Sequence, residues 1–325
     1  HFDFIFISII HLILLYLILS GLVLVLKSSR KQRKWLRISA IILLSIFVLL
    51  KRQSSNKLTI TFFDCGLGDL ALIQTPGNET ILIDTGPPEK EINSFPRSVL
   101  PYLQQNGIKN IDHVLITHAH NDHYGGVFSI FQNVEVTNLI TTDEFQNRKI
   151  WDNIFEDVET EKCSIFTVTD TTHIRFEEIK FKIIHPDRSY KDNNINNLSI
   201  VVRLDYGDLS VLFTGDLEHE GEDYLIEHYP EFLDCDVLKV GHHGSKTASS
   251  PIFIRAVNPQ FAIISTARKN RFNFPHKITL ERYEFLGPNL MITGYDGACQ
   301  IVSDGKSAQI TTFVSNKNII DNDLK

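Results

Sequence analysis

The sequence predicts an α/β protein, a sandwich of two sheets with helices outside, preceded by two membrane-crossing helices. Three observations carry this. From Leu58 onward, short β-branched runs are punctuated by Gly, Asp and Pro; helical stretches fall between them; and residues 4–50 hold two apolar runs flanking a basic loop.

Phe4 to Leu26 is interrupted only by Ser8, His11, Tyr16, Ser20 and Gly21, long enough to cross a hydrocarbon core of about 30 Å. Ile38 to Leu50 is shorter, with Arg37, Lys51 and Arg52 placed to snorkel at its ends, and reads as a second span. Between them Lys27, Arg30, Lys31, Arg33, Lys34 and Arg37 make a loop (27–37) that the positive-inside rule holds in the cytoplasm. The rest of the chain is then expected to face outward, on the side of the membrane away from the cytoplasm. A cleavable signal peptide fits poorly, because no basic segment precedes the apolar run and the run is too long. Opening on His1 rather than Met, the chain is expected to be the tail of a longer membrane protein.

The segments Leu58 to Phe63, Asp69 to Gln74 and Glu79 to Asp84 read as a strand meander, with a Pro-Gly-Asn turn at Pro76 to Asn78. Arg97 to Asn106 reads as a helix and His113 to Thr117 as a buried strand. Further strands are expected at Phe181 to His185, Leu198 to Asp205, Ser210 to Thr214, Val237 to Val240, Phe261 to Ser265 and, last, Asn289 to Thr293. Residues 1–57 are thus a membrane segment, 58–315 one domain and 316–325 a polar tail.

The 325 residues are 43% hydrophobic with net charge −7, and most of the clustered positive charge sits in the membrane loop. No broad basic surface advertises a nucleic-acid partner, although a local groove remains compatible with this balance. Cys65, Cys163, Cys235 and Cys299 form no C-x-x-C pair, which argues against a thiolate zinc site; they read as buried apolar residues.

Chemistry gathers at strand ends. His118, His120, Asp122 and His123 lie within six residues, directly after the strand ending at Thr117 and before Gly125 and Gly126. Imidazoles and a carboxylate are the ligands that borderline divalent metals accept. From an extended segment His118 and His120 point one way, whereas Asp122 and His123 open a helix and point to a second position. A surface histidine cluster that binds nothing is the competing reading, and the paired glycines, which let a helix start close by, weigh against it. Asp216 ends an apolar strand in Thr214, Gly215, Asp216, where a carboxylate can bridge two cations. His242 and His243, between Gly241 and Gly244, follow another apolar strand and suggest one ligand and one neighbour able to reach substrate.

In this order along the chain, the H-x-H-x-D-H element, the Gly-Asp and the Gly-His-His-Gly-Ser segment resemble the metallo-β-lactamase family, whose αββα sandwich is the implied fold. Residues 63–69 (Phe-Asp-Cys-Gly-Leu-Gly-Asp), 81–86 (Ile-Leu-Ile-Asp-Thr-Gly) and 196–201 (Asn-Asn-Leu-Ser-Ile-Val) are similar to the C-terminal domain of ComEC-type DNA-uptake proteins of bacterial competence. The resemblance covers about Leu58 to Gly297. It implies that His118 and His120 hold one metal, Asp122 and His123 the other, and that Asp216 bridges them. One of His242 and His243 completes the second site, and the other contacts phosphate or protonates the leaving group. Asp84 matches a supporting aspartate. Where many relatives carry a further histidine, this chain has Asn196, Asn197, Leu198 and Ser199, so the first metal is expected to be weakly held; His185 reads as structural. His276 follows Pro275 in a loop that usually carries Gly-His before the Pro.

Two divalent ions, zinc or else manganese, are the implied cofactors. Metal coordination lowers the pKa of water from about 15.7 toward 7 and neutralises phosphate charge, so Asp122, His242 and His243 are the candidate catalytic residues. The expected function is a membrane-anchored nuclease or phosphodiesterase acting on DNA during uptake, with DNA, the membrane and other uptake components as partners. Phosphorylcholine esterase or lactonase activity, or a non-catalytic DNA-binding role in a channel, stay open, because fold does not fix substrate.

Overall fold

Along each buried strand, alternate residues belong to different apolar layers, and this period of two defines the architecture. In a computed structural model that describes residues 57–90, 95–143, 163–176, 178–321 and 324, Ile81 and Ile83 join Ile60, Phe62, Val211, Phe213 and Ile263 in a core between two sheets. Leu82, between them, faces the other way, against Phe95, Leu103, Val127 and Ile130. In the second sheet Leu212, Leu238, Ala262 and Ile264 turn outward onto Leu225, Phe253, Ile254 and Tyr283. Helix, sheet, sheet and helix layers result. Phe62 and Phe213 stack across the central layer, ring centroids 5.7 Å apart.

The first sheet contains β1 (Leu58–Phe62), β2 (Ala71–Gln74), β3 (Thr80–Ile83), β4 (Asn110–Leu115), β5 (Glu135–Thr142) and β6 (Ser164–Val168). The second contains β7 (Thr172–Phe176), β8 (Ile179–His185), β9 (Val201–Tyr206), β10 (Leu209–Phe213), β11 (Val237–Lys239), β12 (Phe261–Ile264) and β13 (Asn289–Ile292). The chain then returns to the first sheet as β14 (Cys299–Ser303), β15 (Ala308–Thr312) and β16 (Asn318–Asp321), giving the order β16-β15-β14-β1-β2-β3-β4-β5-β6. β3, β4 and β5 run parallel, as do β10 to β13, so their C-terminal ends can gather loops on one side.

Several boundaries differ from expectation. The helix expected over 97–106 is two pieces, α1 (Phe95–Ser98) and α2 (Leu100–Gln105), broken at Val99 just before Pro101, which has no N–H to continue the ladder. Leu198 lies in a 3-10 turn, Ile195–Leu198, rather than a strand, because the Asn194 side chain accepts the Asn196 N–H and caps it. β13 is not the last strand: β14, β15 and β16 follow it, and β16, paired antiparallel with β15, lies in the polar tail that begins at 316. The apolar runs 4–26 and 38–50 and the basic loop 27–37 lie outside the described residues. Among the described residues no helix is long and apolar enough to cross a membrane.

Candidate metal centre

The segment after β4 leaves the sheet extended, and Asn121 to Tyr124 then coil into a short helix, α3, followed by α4 (Val127–Asn133). Backbone bonds fix this turn: Thr85 N and Oγ1 donate to His123 O, and Asp69 N donates to Asp122 O. Gly126 packs so tightly that a Cβ there would fall 2.2 Å from Thr85 O. Gly215, at φ +52°, lets the chain after β10 turn beneath Ser199 and present Asp216.

Two ligand-sized clusters form where the ends of the two sheets meet, and Asp216 belongs to both. His118, His120 and Asp216 make the first, and Asp122, His123, Asp216 and His243 the second; in each, one donor atom per residue lies within 4.8 Å of the others. In the first, His118 Nε2 is 3.1 Å from His120 Nδ1 and 3.8 Å from Asp216 Oδ2. In the second, His123 Nε2 is 3.2 Å from Asp216 Oδ1, and His243 Nε2 is 3.3 Å from Asp122 Oδ2 and 3.6 Å from Asp216 Oδ2. His118, His123, His243 and Asp216 are buried.

The donor set fits divalent cations. Among the described residues His123 Nε2, His243 Nε2 and Asp216 Oδ1 are buried without a hydrogen-bond partner, although burying unmatched polar atoms is unfavourable. Each orphaned imidazole nitrogen belongs to a ring whose other nitrogen is bonded. His123 Nδ1 sits 2.8 Å from Asp84 Oδ2, and His243 Nδ1 2.9 Å from Ser265 O. That partnering is how proteins orient ligating histidines. His118 Nδ1 faces Thr117 Oγ1 at 3.1 Å and Ser199 Oγ at 3.3 Å.

Electrostatics follow the same geometry. Burial pushes the His118 imidazole well below its ordinary pKa. Burial also opposes charge on His123, yet the Asp216 and Asp84 carboxylates outweigh it and hold His123 well above the usual histidine range. His243 is likewise raised, to about 10, by Asp216 and Asp69 against burial. Asp122 is held below the carboxylate range, chiefly by the His243 contact working against burial.

His242 and His243 diverge although they are neighbours. Both are left-handed, at φ +47° and +51°, so the chain reverses through them. His243 is buried in the second cluster. His242 is 20% exposed at its side chain, with Nδ1 2.7 Å from Glu218 Oε1 and Nε2 3.9 Å from Asp216 Oδ2. Asp84 accepts from Thr117 N and Oγ1 as well as facing His123. His185 lies apart: its Nε2 donates to Asn197 O at 2.7 Å and its ring packs on Tyr190 and Tyr224. His276 stands at the rim, its Nδ1 accepting the Lys246 N–H and its ring against Phe274. The four cysteines are buried, and none of them is joined in a disulfide among the described residues.

Three residues of this region were not singled out by sequence. Asp69 forms a buried ion pair with Lys239 and lies 3.4 Å from His243 Nδ1; Lys239 also donates to Val240 O. Burial alone would raise the Asp69 carboxyl, but Lys239 and His243 hold it below the ordinary range. Glu218 gathers His242, Thr247 Oγ1, Asn194 Nδ2 and Asn196 Nδ2, and these bonds lower its pKa against burial. The faint signals were an aspartate ending the Gly-Leu-Gly-Asp run, a lone lysine in an apolar strand, and an acid two residues past Asp216.

The chain is similar in sequence to several known proteins. The family model described as the Metallo-beta-lactamase superfamily matches residues 64–147 and 196–268. ComE operon protein 3 of Bacillus subtilis is 29% identical over 258 residues, which cover 76% of this chain and 33% of that protein. Competence protein ComA of Neisseria gonorrhoeae is 28% identical over 291 residues (89% and 38%). Recombination protein 2 of Haemophilus influenzae is 33% identical over 258 residues (78% and 30%). The chain spans about a third of the length of these relatives.

Proposed function

We propose that this chain is a dinuclear-metal phosphodiesterase of the metallo-beta-lactamase superfamily, a nuclease acting on DNA during uptake, anchored in the bacterial inner membrane by residues 4–26 and 38–50 with the hydrolase domain on the outer side. The observation that carries the reading is Asp216, one buried carboxylate shared by two histidine-containing clusters, the second of which has two orphaned ring nitrogens. A second support is that one relative is named a competence protein.

His118, His120 and Asp216 would hold one cation, and Asp122, His123, His243 and Asp216 the other. When bound, such cations supply a nucleophile at neutral pH and neutralise charge on a phosphodiester. The chain's own part is orientation and proton handling. Asp84 and the Ser265 carbonyl fix the rings of His123 and His243, so that Nε2 of each faces inward. Glu218 accepts from Nδ1 of His242 and leaves its Nε2 on the side of Asp216 Oδ2, 3.9 Å away, placed to serve a departing oxygen. Ser199 and Thr117 hold His118 rather than attack substrate.

The test is hydrolysis by the full chain loaded with Zn²⁺ or Mn²⁺, offered single-stranded DNA and bis(p-nitrophenyl) phosphate. Cutting of DNA that Asp216→Asn abolishes is the expected result. A metal-loaded chain that turns over a lactone or a phosphorylcholine ester but no nucleic acid would refute the nuclease assignment.

A further inference from the structure

A chain of net charge −7 contains no Asp or Glu from Gly241 to Leu280, while that stretch carries Lys246, Arg255, Arg268, Lys269, Arg271 and Lys277. Lys246, Arg268, Lys269, Arg271 and Lys277 are exposed. Aromatic rings accompany them and lead away from the two histidines. Phe274 touches both, its ring centroid 5.4 Å from that of His242 and 6.1 Å from that of His243. Phe272 stacks on Phe274 at 5.4 Å with the planes 28° apart, and is 45% exposed. The Arg271 guanidinium lies 4.7 Å from the Phe272 ring centre.

The loop is held in shape. Asn270 Nδ2 donates to Phe274 O at 2.7 Å and to Ala267 O at 3.2 Å, while its Oδ1 accepts from Phe272 N and Phe274 N. Phe274 is half-buried against the histidines, whereas Phe272, stacked on its outer side and backed by a guanidinium, offers an exposed, pre-formed ring face. Rings paired with cations are how proteins take unpaired bases and their phosphates, each base having a face to stack. An anionic membrane surface would also favour arginine and phenylalanine. The ring row, however, ends on His242 and His243, so a strand stacked along it would have its backbone delivered to the metal centre.

Resting on the phosphodiesterase reading above and deepening it, we propose that the loop Arg268–Lys277 is a docking track for a single-stranded nucleic acid, with Phe272 and Phe274 stacking successive bases and Arg271 and Lys246 meeting phosphates.

The experiment uses the full chain with its metals and a fluorescent phosphorothioate oligothymidylate that resists cutting, longer than a site of roughly 4–16 nucleotides, followed by anisotropy at several salt concentrations. Phe272→Ala is expected to weaken binding about tenfold, the loss of one base stack. Arg271→Ala is expected to lower the slope of log affinity against log salt by about 0.7. Phe285→Ala, the loss of an equal ring from an 81% exposed position on another element, should leave binding unchanged. The paired duplex should bind more weakly than the single strand, and an oligouridylate run in parallel identifies the preferred sugar. Unchanged binding by Phe272→Ala, a duplex bound as tightly as the single strand, or Phe272-dependent binding to phosphatidylglycerol vesicles in place of the oligonucleotide would each overturn the proposal. Cleavage is scored separately: a chain that binds in this way but cuts nothing refutes the nuclease reading alone, and one that cuts with Phe272 irrelevant refutes the track alone.

Discussion

Replacing His185 by phenylalanine should change the pH dependence of stability more than stability itself. Burial pushes this imidazole down to about 4, against an ordinary value near 6.5. The neutral ring is therefore favoured by the fold. Its contribution is complete above about pH 6.5 and lost as pH falls toward 4. Two and a half units at about 1.36 kcal/mol each give about 3 kcal/mol in all, of which roughly 2 kcal/mol is lost by pH 5. The phenyl ring of the variant would keep the contacts with Tyr190 and Tyr224 but forfeit the bond from Nε2 to Asn197 O, costing about 1 kcal/mol at neutral pH. The two stability curves should cross. The assay is thermal unfolding of both proteins, with chelator present, at about pH 7.5 and pH 5. In a domain of this size 1 kcal/mol is roughly 2–4 °C, so the wild type should fall further on acidification by about 4–8 °C. Parallel curves would show that His185 does not titrate in the folded state as its burial demands.

Other expectations are simpler to score. Elemental analysis after purification in metal-replete medium should find about two divalent ions per chain, and a ratio near zero would remove the catalytic reading. Asp122→Ala should bring phosphodiester hydrolysis to background while the metal-free melting temperature moves by less than about 2 °C, because the side chain leaves the short helix α3 outside the apolar layers; near wild-type turnover with unchanged metal content would contradict its role. Gly126→Ala would force a methyl to 2.2 Å from Thr85 O and should destabilise by about 2–4 kcal/mol in denaturant titrations, with an effect under about 0.5 kcal/mol counting against the geometry. A reporter fused after Lys325 should be active only outside the cytoplasm, and activity of a cytoplasm-dependent reporter would reverse the topology.

The parts of the fold legible in sequence were those where burial writes a local pattern. β3, β10 and β12 are nearly all apolar, and each was placed within a residue or two of its ends. β14, β15 and β16 escaped because polar residues interrupt their short apolar runs, and they are seated in the sheet through β14, which pairs with β1 from more than two hundred residues earlier. At the site, the tight spacing of His118 to His123 made a cluster of potential metal ligands visible. Which of His242 and His243 turns inward was not legible, because alternation rules assume extended or helical backbone and both residues are left-handed. Lys239 and Glu218 were missed for a related reason. Lys239 answers Asp69 across 170 positions, and Glu218 is defined by Asn196 and His242, which sequence leaves apart.

Asp216 and His243 hang from the second sheet, whereas His118, His120, Asp122 and His123 hang from the first. Cations bound among them would act as rivets between two layers that share no continuous strand. A ligand that binds only the assembled form adds RT ln(1 + [M]/Kd) to its stability, so occupancy and mechanical integrity rise and fall together. Metal starvation would then leave a loosened molecule as well as an idle one, opened to proteases sooner than its loaded counterpart, and the supply of the ion would govern how many copies persist as well as how many work.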